Sequence, residues 1–208
     1  MKFESIGLII ELKSFGARDF VARVFTKDFG VICGLFKAGQ VLKAKPMLGQ
    51  FGHVSWNARL DSQLGSFHFE NEKNLTLSFF NSPEKLKYVN CSFSLLSKML
   101  PEREKYEKLF VETLHFLENS ISDIEERYLN WEQTLLAELG YGLMLGACGN
   151  CGKKNDLIFI SPKTRRAICR ICGEEYKDKL FKFPINLNIT KRFLEEIAEL
   201  PEIRLKAI

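Results

Sequence analysis

Over the first 80 positions apolar and polar residues alternate in short runs, the period expected of half-buried strands. "GLIIEL" sets Leu8, Ile10 and Leu12 against Ile9 and Glu11. "FVARVFT" and "GVICGLF" flank Lys27-Asp28-Phe29-Gly30, a short turn with glycine where positive φ is wanted. "HVSWNARL" places Val54, Trp56 and Ala58 on one face and His53, Ser55, Asn57 and Arg59 on the other. "GSFHFE" and "LTLSFF" read as further strands. Five or six short strands in this length predict a small barrel.

At Ser82-Pro83 the period changes to that of a helix, with an N-cap residue followed by proline at the first helical position. Leu86, Val89, Phe93, Leu96 and Leu100 form one apolar stripe. Pro101 is expected to start a second helix carrying Tyr106, Phe110, Thr113 or Leu114, and Leu117. A third carries Ile124, Tyr128, Trp131, Leu135 and Leu139 and stops at Gly140. A last helix near the C-terminus points Phe193, Ile197 and Leu200 inward. The fold class is therefore α+β and multidomain. Residues 1–80 form a five-stranded barrel, for which the size and a lysine-bearing loop suggest an OB-fold. Residues 81–208 form an α-helical domain.

Between the third and last helices the chain reads "ACGNCGKKNDLIFISPKTRRAICRIC". Cys148 and Cys151, then Cys169 and Cys172, are two Cys-x-x-Cys pairs with 17 residues between them. Each pair can turn both sulfurs toward one point, and the intervening "LIFISPKTRRAI" reads as a hairpin around Ser161-Pro162. Two facing turns supply the four thiolates of a structural zinc site, one ion per chain, in a module spanning 146–176. Four thiolates can also hold an iron–sulfur cluster, though the paired hairpin spacing favours zinc. A redox Cys-x-x-Cys normally comes singly beside a βαβ unit, and disulfides need an oxidising compartment. With all four positions filled by sulfur, the metal would staple the fold and leave no site for substrate.

Composition is that of a globular protein, 46% apolar and 27% charged. The net charge of +4 is uneven: +3 over 1–80, −4 over 81–146 and +5 over 147–208. Basic ends suggest a polyanion partner. "MKFESIGLIIELKSF" lacks a signal peptide's apolar core and cleavage site, and no run approaches the ~18 apolar residues of a membrane span. A cytoplasmic protein is expected, with no membrane contact and with Cys33 and Cys91 reduced and buried.

No enzyme is expected. His53, His68 and His115 have no carboxylate or cysteine at motif spacing, and "PEREKYEKLFVE" is the ordinary charged face of a helix. There is no phosphate loop, no Gly-x-Ser-x-Gly and no His-x-Glu ahead of the cysteines. "GLFKAGQVLKAKPMLGQF" instead offers Lys37, Lys43 and Lys45 for phosphates, with Arg18 and Arg23 upstream and Arg59 beside Trp56. Trp56 could stack a base or lie inside the barrel. Lys163, Arg165, Arg166 and Arg170 form a second cationic cluster, suited to phosphate or an acidic peptide tail.

Four passages, taken in order, resemble the RecO family of bacterial DNA-repair recombination mediators. "GLIIELKSFGARDFVARVFTKDFGVICGLFKAG" and "WNARLDSQLGSFHFE" look like that family's barrel strands. "LPEREKYEKLFVETLHFLE" with "YLNWEQTLLAELGYGLML" looks like its helical core, and the Cys-x-x-Cys hairpin like its cysteine module. The resemblance implies an OB-fold, a helical domain with a zinc module, binding to single- and double-stranded DNA, and strand annealing. It also implies contact with the acidic C-terminal tail of single-strand-binding protein and partnership with RecR in loading the RecA recombinase. By position, Lys37, Lys43 and Lys45 match the family's basic loop, and Cys148, Cys151, Cys169 and Cys172 its zinc ligands. Many members carry arginines in this loop, whereas this chain has lysines only, which predicts weaker phosphate binding. The alternative is a zinc-stapled scaffold whose barrel contacts protein only, as an accessory to transcription or translation.

Overall fold

A computed structural model describes residues 2–37, 45–59, 64–118 and 123–198. Among them, residues up to Ile124 form one compact unit and those from Glu125 another.

The first unit opens with five strands: β1 (Lys2–Phe15), β2 (Asp19–Thr26), β3 (Gly30–Phe36), β4 (Gln50–Asn57) and β5 (Gly65–Asn74). β1 pairs with both β2 and β4, and the sheet closes as a barrel in the order β1-β2-β3-β5-β4. All pairings are antiparallel except the short parallel closure of β3 on β5, where Gly34 faces Gly65. The alternation in the sequence is what fills the barrel. Phe3, Ile9, Val24, Ile32, Val54, Trp56, Phe67 and Phe69 belong to one buried cluster. The turn between β2 and β3 needs its glycine: Gly30 sits at φ 65, and the Thr26 hydroxyl donates to its carbonyl at 2.8 Å.

"LTLSFF" is not a strand. Leu77–Phe79 is a single 3-10 turn, with Phe79 buried while Leu77 and Phe80 are exposed. Asn74 Oδ1 accepts from the Thr76 amide at 2.9 Å and from its hydroxyl at 2.8 Å. This local bonding turns the backbone out of the sheet.

α1 (Pro83–Met99) follows, with Pro83 in its first turn, and α2 (Glu107–Glu118) comes next. Val89, Phe93, Leu96 and Leu100 are buried along the stripe, together with Cys91 and Leu95. The second helix begins at Glu107 rather than at Pro101. Arg103 stands at φ 64 and its amide donates to the Val31 carbonyl at 3.0 Å, so residues 101–106 are held against β3 before the helix can start. These helices explain why β1 is buried on both faces near its middle: Leu8 and Ile10 are as covered as Ile9. On β2, Phe25 meets Phe110 of α2 edge-on at 5.3 Å.

In the second unit α3 (Ile124–Glu138) buries Tyr128, Trp131, Leu135 and Leu136. Gly140, at φ 85, ends it in a Schellman turn: the Tyr141 amide donates to Leu136 O at 2.7 Å and Gly140's to Ala137 O at 3.0 Å. β6 (Leu157–Ile160), β7 (Ala167–Cys169), a one-turn helix α4 (Arg170–Gly173) and β8 (Phe181–Lys182) follow. The three strands lie in the order β7-β6-β8. α5 (Leu187–Ala198) buries Ile189, Phe193 and Leu194, and its Thr190 hydroxyl donates to the buried Glu132 of α3. The Asn186 side chain accepts from the Asn188 amide at 3.1 Å and caps α5. No described helix is long and apolar enough to cross a membrane.

Candidate metal centre and basic surfaces

The hairpin expected around Ser161-Pro162 forms, β6 pairing antiparallel with β7. Ser161 closes its turn twice: its carbonyl accepts from the Arg165 amide at 2.9 Å and its Oγ from Thr164's at 3.2 Å. The hairpin delivers Cys169 at the end of β7 and Cys172 within α4. Cys148 and Cys151 lie on a turn of their own, where the Gly152 amide donates to Cys148 O at 2.9 Å with Gly152 at φ 76. One backbone bond sews the turns together, from the Gly149 amide to Ala167 O at 2.8 Å.

The four sulfurs all lie within 4.8 Å of one another, and Cys151 Sγ is 3.7 Å from Cys169 Sγ. A tetrahedral ion with metal–sulfur bonds of about 2.3 Å requires sulfurs about 3.8 Å apart, so the donor set and its spacing fit zinc. Cys148 and Cys169 are buried, Cys172 is half-buried and Cys151 exposed, so the centre is open to solvent on one side only. Among the described residues this is the one group of three or more His, Cys, Asp or Glu side chains arranged to hold a metal. Burial works against ionising Cys148, but amides of Cys169, Cys151 and Asn150 outweigh it and bring the thiol down to about 6. At Cys172, Asn150 favours the thiolate, yet the neighbouring sulfurs of Cys151, Cys169 and Cys148, together with burial, push it up to about 11.

The cations expected at the barrel are scattered among different environments. Lys37 is exposed just after β3, and Arg59 is exposed just after β4. Lys45 is exposed too, its ammonium 5.2 Å from the centre of the Phe20 ring. Lys43 lies outside the described residues. Arg23 is engaged, its guanidinium bonded to Glu102 at 3.1 Å and its side chain only 23% exposed. Trp56 lies inside the barrel, where its indole N–H donates to Cys33 O at 3.1 Å and its ring stacks on Phe3. Below Lys45, a largely apolar groove of about 630 Å³ runs between the barrel and α1, lined by Leu12, Met47, Leu48, Phe80, Leu86 and Phe93 among others.

In the second cluster, Lys163 and Arg166 are exposed, while Arg170 pairs with Asp156 at 3.3 Å. Arg165 is half-buried between Tyr141 and Phe193, its guanidinium carbon 5.0 and 5.4 Å from their ring centres, which is a packing position. Glu102 and Asp156, the partners of Arg23 and Arg170, carried no signal in the sequence; each is brought in by the fold.

Fold and site together define an α+β protein with a five-stranded N-terminal sheet, a helical remainder and a four-cysteine cluster compatible with zinc. The family model described as "Recombination protein O C terminal" matches residues 81–207. A DNA repair protein RecO of Rickettsia africae is 36% identical over 188 residues, 88% of this chain and 78% of the relative. Its counterpart in Rhizobium rhizogenes is 34% identical over 88% of this chain and 72% of its own length. That of Jannaschia sp. is 33% identical over 95% and 82%. The chain belongs to the RecO family of DNA repair proteins.

Proposed function

We propose that the chain is a non-enzymatic recombination mediator that binds and anneals DNA in the cytoplasm. The observation that carries this reading is family membership over most of the chain, joined to a barrel with cations at its rim. The strand order is that of an OB-fold, which residues 1–80 would form, with residues 81–208 as the helical domain. Lys37, Lys43, Lys45 and Arg59 would meet phosphates, and Arg23 would join them only on leaving Glu102. Of the second cluster, Lys163 and Arg166 are free to take part, whereas Arg165 serves packing. Zinc on Cys148, Cys151, Cys169 and Cys172 would hold the 146–176 module together without chemistry of its own.

Partners in this reading are single-strand-binding protein, RecR and, downstream, RecA. The groove beside Lys45 supports the first of these, since an acidic tail ending in apolar residues needs a greasy slot with a cation at its mouth. The test is annealing of two complementary labelled strands, followed by energy transfer, with and without a coat of single-strand-binding protein. Acceleration on coated strands is expected. Acceleration on bare strands alone would reduce the protein to a cationic binder, and none on either would favour the protein-contacting scaffold.

A further inference from the structure

The rim of the barrel carries an aromatic side chain that is left half outside the core. Phe15 ends β1 beside the turn at Gly16 (φ 63) and is 54% exposed.

Strand register identifies its neighbours. Phe15 pairs with Asp19, and because Phe20 pairs with Phe36, Lys37 follows one residue on, level with Asp19. In the next row on the same face Lys13 pairs with Val21, and Val21 with Leu35. This face is the outer one, since the alternating residues Leu12, Phe20 and Ala22 pack with the barrel's interior cluster. A third row, Glu11, Arg23 and Cys33, is already occupied: the Ser97 hydroxyl of α1 donates to Glu11, and Glu102 holds Arg23. The open strip is thus two rows deep and three strands wide, about 7 by 10 Å, room for one or two nucleotides. Its charges are mixed. Lys13 is paired with Glu11 at 2.5 Å and Asp19 lies in the outer row. Arg18, Lys37 and Lys45 are exposed and make no ion pair with another described residue. Lys45 lies at the same end of the barrel but over Phe20, on the inner side, and not in this strip.

We propose that Phe15 is a stacking platform for an unpaired base of single-stranded nucleic acid, with Arg18 and Lys37 meeting the phosphates on either side. This rests on the DNA-binding reading above and gives it a strand preference. An unpaired base offers a π-face to an exposed ring, whereas a duplex keeps its bases stacked inside. A protein partner or a second copy of this chain on the same ring would not distinguish single from double strands.

The test uses Phe15→Trp and Phe15→Ala in the full chain. Trp56 and Trp131 are 1% and 0% exposed, so a tryptophan at position 15 is the solvent-facing emitter. Titration with a 12-mer of deoxythymidine should quench that emission. Phe15→Ala should bind the same oligomer about 5- to 150-fold more weakly, the loss of one stacked base. Its affinity for duplex should stay within about twofold and its salt slope should not change, since no cation is removed. Phe15→Tyr should restore single-strand binding. Unquenched emission together with parental affinity in Phe15→Ala overturns the proposal, as does an equal loss on single strand and duplex. A parent that binds neither form of DNA overturns the DNA-binding reading itself, so the two failures are distinguishable.

Discussion

Replacing Gly65 with alanine should open the barrel at its weakest seam. Gly65 belongs to the short parallel closure of β3 on β5 and lies against the face of Trp56. A Cβ there would stand 2.4 Å from Cε2 and 2.6 Å from both Cζ2 and Nε1 of the indole. Carbon atoms in good contact sit about 3.5–4.0 Å apart, so ring or strand must retreat by about 1 Å. The ring has nowhere to go. It is stacked on Phe3 at 5.4 Å, capped by the Arg103 guanidinium at 5.1 Å and bonded to Cys33 O at 3.1 Å. Across the seam, a Cβ on Gly34 would also be only 3.0 Å from the indole nitrogen. Overpacking of this kind costs about 1–3 kcal/mol, and straining the indole hydrogen bond about 1 more. The expected loss is about 2–4 kcal/mol, a large part of a typical domain's stability. The assay is urea unfolding followed by tryptophan emission in a Trp131→Phe background, so that Trp56 alone reports on the barrel. Gly146→Ala is the control, because a Cβ there meets nothing within 4 Å, and it should stay within about 0.5 kcal/mol of the parent. If Gly65→Ala matched that control, the account of the seam would be wrong.

Protein purified without chelator should carry one zinc per chain by elemental analysis, and cobalt in its place should give a tetrahedral thiolate spectrum. Cys169→Ser should abolish stoichiometric metal while leaving the unfolding of the barrel unchanged; a metal-free parent would refute the assignment. Glu11 is drawn into the fold, and although burial opposes it, Lys13 and Ser97 hold its carboxyl below the ordinary value. A depressed carboxylate stabilises the fold above its unfolded pKa and loses that contribution as pH falls through the folded value, so Glu11→Gln should flatten the acid limb of the stability–pH curve. An unchanged limb would show that the contact between β1 and α1 does not matter. Reversing Lys37 and Lys45 to glutamate should weaken single-strand binding by at least tenfold and lower the salt slope by about 1.4, at roughly 0.7 per phosphate. Unchanged binding and slope would remove these lysines from the DNA surface.

What lay open in the sequence was local. Four cysteines at two fixed spacings foretold a four-sulfur cluster because each Cys-x-x-Cys turn orients its sulfurs through its own backbone and needs the rest of the chain only to bring two turns together. The strands of the barrel and the stripe of α1 were legible because alternation and helical period record which face is buried. The sequence misread "LTLSFF", whose composition suits a strand but whose Thr76 is captured by Asn74. It also started the second helix too early, since nothing in "PEREKY" reveals that the Val31 carbonyl, far away in sequence, takes the Arg103 amide.

The tertiary structure decided everything that depends on a partner distant in the chain. Whether Trp56 faced a base or the core depended on Gly34 and Gly65 leaving space for it from two other strands. Whether Arg23 was free for phosphate depended on Glu102, 79 residues away. Phe15 stands on the rim near Lys37 only because strand register sets it there. Hydrophobic pattern fixes what a residue prefers, but pairing and exposure arise only when separate elements meet, and that meeting is what assigns a cation or an aromatic ring to packing or to binding.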